Sequence, residues 1–111
     1  MEWQMLIIET PIFTAAVIAE MTPEEYRQLQ LALLLRPAQG AIIKGGGGIR
    51  KVRWATGTRG KSGGVRVIYF WEPSTDRIYM LYVYPKSKAD DLSSSQLNTL
   101  RKLVKEQLRD E

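Results

Sequence analysis

Between Ile49 and Tyr84 the chain carries three segments dense in β-branched and aromatic residues, Ile49–Ala55, Val65–Trp71 and Ile78–Tyr84, separated only by turn-forming stretches. Val, Ile, Tyr, Phe and Trp at this density, in runs of strand length, favour pleated backbone. Pro73-Ser74-Thr75-Asp76 is a tight connection between the last two segments, and Thr56 to Gly64 is a longer, glycine-rich and basic connection between the first two. Consecutive strands linked in this way pair as antiparallel neighbours. The fold is therefore expected to be built around a sheet.

The flanking sequence supplies helices. Trp3 to Glu9 is apolar and β-branched and is closed by Thr10-Pro11, which predicts a first strand. Ile12 to Glu20, apolar and behind Pro11, predicts a short helix. Thr22-Pro23-Glu24-Glu25 offers an N-cap hydroxyl, proline at the first helical position and Glu at N3, a capping box. The helix it opens is expected to run to about Leu35, burying Tyr26, Leu29 and Leu33, and to stop before Pro37. Gly45 to Gly48 reads as a loop. Ser93-Ser94-Ser95-Gln96 is a second capping box, followed by Leu97, Leu100, Val104 and Leu108 at helical spacing. The order predicts a single α+β domain over residues 1–111, with N-terminal helices and a C-terminal helix packed on an antiparallel sheet of about four strands.

The formal net charge of +4 is modest, but its distribution is not even. No acidic residue stands between Glu25 and Glu72, whereas Arg27, Arg36, Lys44, Arg50, Lys51, Arg53, Arg59, Lys61 and Arg66 all do. A field of one sign favours a polyanion. The absence of Cys and His excludes disulfides and the usual transition-metal sites, so neither a metal nor another cofactor is expected. Met5-Leu6-Ile7-Ile8 is too short to span a bilayer and lacks a preceding positive region, which makes the cytoplasm the expected compartment.

Strand alternation sends Lys51 and Arg53 to one face and Val52 and Trp54 to the other. Arg66 begins the neighbouring strand, and Arg59 and Lys61 occupy the connection, so these cations can surround one surface suited to a phosphate backbone. Any one of them alone is an ordinary solvated cation. Arg66 is the sharpest, because between Val65 and Val67 in a central strand a guanidinium needs a partner or a ligand. The interleaved aromatics Trp54, Tyr69, Trp71, Tyr79, Tyr82 and Tyr84 are expected to be mostly core, with one or two left to stack on bases. The glycine run lacks the Lys-Ser or Lys-Thr ending of a P-loop, which argues against a nucleoside triphosphate site. Without histidine the usual proton shuttle is missing, and Lys51, crowded by Arg50, Arg53 and Arg66, is the best-placed residue for proton transfer.

The blocks Lys44 to Ala55, Gly60 to Phe70, Leu81 to Lys86 and Asp91-Leu92-Ser93, in this order and spacing, resemble the RelE superfamily of toxins and within it the HigB branch. The likeness covers nearly the whole chain, including the Glu-Glu-Tyr start of the second helix. It implies a microbial-RNase-like fold that enters the ribosomal 30S A site, contacts rRNA and cuts the bound mRNA by 2′-OH attack on the adjacent phosphate, and a neighbouring helix-turn-helix antitoxin of HigA type. Carried over by position, Lys51 and Arg53 match the basic strand pair, Arg66 the arginine on the scissile phosphate, and Lys86 the lysine after the last strand, as catalytic residues. Arg50, Arg59, Lys61, Tyr84 and Lys88 are the further expected RNA contacts. The chain departs from RelE itself where Ser87 and Ser93 replace an arginine and a tyrosine, which removes a tyrosine acid or base. A non-enzymatic ParE-like gyrase inhibitor and a nucleic-acid-binding module without catalysis are the competing readings.

Overall fold

The structure, a computed structural model, describes residues 5–57, 64–89 and 91–109. Its elements in chain order are β1 (Leu6–Glu9), α1 (Pro11–Glu20), α2 (Pro23–Leu35), β2 (Ala41–Ile42), β3 (Arg50–Trp54), β4 (Val65–Glu72), β5 (Arg77–Pro85) and α3 (Ser94–Arg109). This is the expected α+β class, with two helices between β1 and the remaining strands and a C-terminal helix packed on the sheet. The sheet is mixed and five-stranded, in the order β1-β5-β4-β3-β2. Two features exceed the sequence expectation. β1 pairs with β5 in parallel, a long-range pairing that needs the α1–α2 crossover and leaves no local signal. β2 is only two residues long, too short for alternation to register, and exists because the glycine run turns the chain back onto β3. In that turn Gly45, Gly47 and Gly48 have φ of 77°, 67° and 104°, values that side chains with a Cβ rarely adopt.

Each helix starts where its cap chemistry dictates. The Thr10 hydroxyl accepts from Phe13 N–H at 3.2 Å and donates to Met80 O at 3.0 Å, so one side chain caps α1 and ties it to β5. Thr22 and Glu25 form the reciprocal box, with Thr22 Oγ1 accepting from Glu25 N–H at 3.1 Å and Glu25 Oε1 from Thr22 N–H at 2.9 Å. Ser93 and Gln96 repeat it at α3, at 3.1 and 2.9 Å. Gln39 Nε2 donates to the carbonyls of Ala32 and Arg36 and closes the end of α2.

Apolar side chains fill both faces of the sheet. On one, Phe13, Val17, Leu29 and Leu33 of the first two helices pack against Val52, Val67, Tyr69, Ile78 and Met80. On the other, Leu100 and Val104 of α3 pack against Ile49, Ile68, Tyr79, Leu81 and Tyr84. The switch lies in β5. Ile68 pairs with Tyr82 but Tyr69 pairs with Met80, so Leu81 is an extra residue, a bulge. Strict alternation from Ile78 and Met80 would place Tyr82 and Tyr84 on the α1–α2 side. The bulge places them on the α3 side instead, beside Ile68. No helix among the described residues is long and apolar enough to cross a membrane.

Candidate nucleic-acid interface

The strand register sets the site. Arg53 of β3 lies opposite Arg66 of β4, which lies opposite Tyr84 of β5. One step along, on the same face, Lys51 lies opposite Ile68 and Ile68 opposite Tyr82. Val52 and Trp54 point into or against the α1–α2 core, as alternation required. Arg66 is 3% exposed in the middle of the sheet, with its Nη1 3.5 Å from Val65 O, while Arg53 beside it is open to solvent. Like charges directly opposite one another repel, so a cross-strand Arg–Arg pair is a natural anion seat.

The end of β5 adds the third cation. Lys86 N–H donates to Gly64 O at 3.1 Å, which holds the start of the 86–89 turn against the start of β4. Arg53, Arg66 and Lys86 then line one cleft of about 400 Å³ with Trp54, Ala55, Thr56 and Gly64. A second depression of about 500 Å³ adjoins Lys51, Ile42, Asp91 and Leu97, and a third of about 270 Å³ lies between Tyr82, Tyr84, Lys88, Asp91 and Gln96.

Asp91 links the second and third depressions. Its carboxylate forms an ion pair with Lys51 Nζ at 2.5 Å. That hydrogen bond and the Lys51 charge, reinforced by Arg53 and Arg66, hold the Asp91 carboxyl below the usual carboxylate range. The expectation that only cations crowd Lys51 therefore fails: a carboxylate from forty residues downstream stands against it. The structure thus removes the reason for singling out Lys51 for proton transfer, while leaving it beside the cleft.

Of the sequence-expected residues, Arg53, Arg66 and Lys86 share the cleft, Lys51 adjoins it, and Tyr84 and Lys88 line the third depression. Arg50 does not join them. It shares the face of Val52, and its Nη1 donates to Ala38 O at 3.0 Å and Gly40 O at 2.8 Å. The guanidinium thus fastens the connection after α2. Arg59 and Lys61 lie outside the described residues.

Sequence reasoning missed Asp91, Gln96 and Thr56, and it named Tyr82 only among six aromatics without singling it out. Asp91 was hidden because the absence of acid was judged along the sequence, whereas the chain returns to β3 just before α3. The face that Tyr82 takes was hidden by the bulge. Thr56 is 6% exposed, and its Oγ1 has no hydrogen-bond partner among the described residues, in the wall of the cationic cleft.

Taken together, these features make a surface that can seat a bent phosphodiester between guanidinium and ammonium groups with aromatic rings alongside. The sequence matches the family model for the RelE toxin of the RelE/RelB toxin–antitoxin system over residues 14–110, a span holding every strand and helix that builds this surface except β1 and the first residues of α1. The chain belongs to the RelE toxin family.

Proposed function

We propose that this toxin is a ribosome-dependent mRNA endoribonuclease, its residues 1–111 forming one toxin domain of the HigB branch. The observation that carries this is the convergence of Arg53, Arg66 and Lys86 on one cleft, with Lys51, Tyr84 and Lys88 on the same side of the sheet. In the proposed reaction the RNA 2′-oxygen attacks the adjacent phosphorus, the 5′-oxygen of the next nucleotide leaves, and a 2′,3′-cyclic phosphate and a 5′-hydroxyl result. Negative charge on the non-bridging oxygens grows in the pentacovalent state. Arg66, pre-positioned in the sheet, stabilises that charge with Arg53 and Lys86. Lys51 and Lys88 hold the flanking backbone, and Tyr84 backs the strand. Seating mRNA in the 30S A site supplies alignment worth about 7–11 kcal/mol, which suits an enzyme without a histidine proton shuttle. Family membership implies a cognate antitoxin, which on this reading is a HigA-like helix-turn-helix protein.

The test is primer extension on messages bound to ribosomes. The wild type is expected to give codon-phased cuts, and Arg66→Ala to reduce them about 10²- to 10³-fold while remaining folded. Undiminished cutting by folded Arg66→Ala sinks the assignment. Intact message with wild-type protein that still arrests growth favours gyrase poisoning instead.

A further inference from the structure

The depression between β5 and the start of α3 is separate from the cationic cleft and is built differently. Its floor is aromatic: the rings of Tyr82 and Tyr84 lie 5.8 Å apart at 33°, Tyr84 buried and Tyr82 half-exposed. Its rim carries Lys88, Asp91 and Gln96, and its volume of about 270 Å³ is at the lower end for small-ligand pockets, the scale of one flat heterocycle. The rim is also oriented. Gln96 Oε1 is committed to Ser93 N–H at 2.9 Å, so the Nε2 end of the same amide is the part that offers hydrogen bonds. Asp91 Oδ1 is committed to Lys51, which leaves Oδ2 to accept.

We propose that this depression is a nucleobase subsite that receives an unstacked base carrying an amino group next to a ring acceptor, adenine or cytosine. The inference rests on the RNA reading above. Asp91 Oδ2 accepts from the exocyclic amine, Gln96 Nε2 donates to the adjacent ring nitrogen, and Tyr82 presents the π-face on which the base stacks. Guanine offers two donors along its Watson–Crick edge and would leave the Gln96 donor facing a donor. The Lys51–Asp91 ion pair places this subsite next to the row of cations that seats the backbone.

The test uses 2′-deoxy hexanucleotides, which lack the attacking hydroxyl, with an abasic residue moved through each position. For the wild type, one abasic position is expected to weaken binding roughly tenfold, and restoring A or C there to bind more tightly than G or T. Tyr82→Leu is expected to bind the intact strand roughly tenfold more weakly and to be indifferent to that abasic position, while Tyr82→Phe behaves as wild type. Gln96→Glu keeps the acceptor that caps α3 but replaces the donor by a second acceptor, and is expected to shift the preference to guanine. Wild type indifferent to the base, Tyr82→Leu and abasic losses that multiply, or an unchanged preference in Gln96→Glu would each overturn the subsite. If Tyr82→Leu does not fold, the Gln96→Glu preference decides alone. Base-selective binding without codon-phased cleavage would keep the subsite and remove the nuclease. Cleavage with no response to these changes would do the reverse.

Discussion

Replacing Tyr69 by phenylalanine is expected to destabilise the protein by about 2–4 kcal/mol while leaving its chemistry intact. The ring is fully buried, and its hydroxyl donates to Pro37 O at 2.7 Å and accepts from Gly40 N–H at 2.9 Å. Phenylalanine fills the same space and keeps the apolar contacts. What it removes is a two-point side-chain link between the middle of β4 and the connection that follows α2. The stranded Gly40 N–H is buried and costs about 1–3 kcal/mol, whereas the Pro37 carbonyl, half-buried, can turn to water and costs roughly 1 kcal/mol. For a chain of this size each kcal/mol moves Tm by about 4 °C, so a fall of roughly 8–16 °C is expected. Urea denaturation at 25 °C should show a lowered midpoint with an unchanged slope, and the Gly40 amide should exchange faster. Because this connection holds Arg50 and not the cleft, the proposed mRNA cleavage by the folded variant well below its Tm should stay within about threefold of wild type, on the order of 0.6 kcal/mol. A loss below about 1 kcal/mol with Gly40 exchange unchanged would refute the reasoning.

A Cβ at Gly64 would lie 2.1 Å from Trp54 O on a backbone with φ of 64°, so Gly64→Ala is expected to cost at least about 3 kcal/mol, and a thermal melt equal to wild type would contradict the strand register. Asp91→Asn releases Lys51 from its carboxylate, and the slope of log K against log salt for single-stranded RNA should steepen by about 0.7; filter binding with an unaltered slope would show that Lys51 does not meet phosphate. Burial raises the phenol pKa of both Tyr26 and Tyr69, for Tyr26 with further help from its hydrogen bond to Glu9. A folded-state pKa above the unfolded value of about 10 stabilises fully below that pH and is lost as pH rises beyond it, so stability against urea should fall above about pH 10; a flat profile to about pH 11 would be inconsistent.

Local chemistry was legible in the sequence, and long-range placement was not. The Thr22–Glu25 and Ser93–Gln96 boxes form as their spacing required, because a capping box involves only residues three apart. The separation of Lys51 and Arg53 from Val52 likewise follows from a period of two. Arg66 was marked by its setting between Val65 and Val67, and it is indeed buried in a central strand. Nothing local states that β1 pairs with β5, that Asp91 returns to Lys51, or that the Arg50 side chain finds two carbonyls after α2. Each of those depends on which elements the chain brings together, a decision made by the whole core.

The single additional residue at Leu81 works as a half-period offset in β5. Ahead of it the strand keeps time with the layer of the first two helices; behind it the phase is inverted, and two phenols lie on the side of the C-terminal helix. Removing that one position would rotate both rings to the opposite surface without altering either. What a chain of this kind must preserve is thus the number of residues between the 73–76 turn and its aromatic pair, a count rather than a composition.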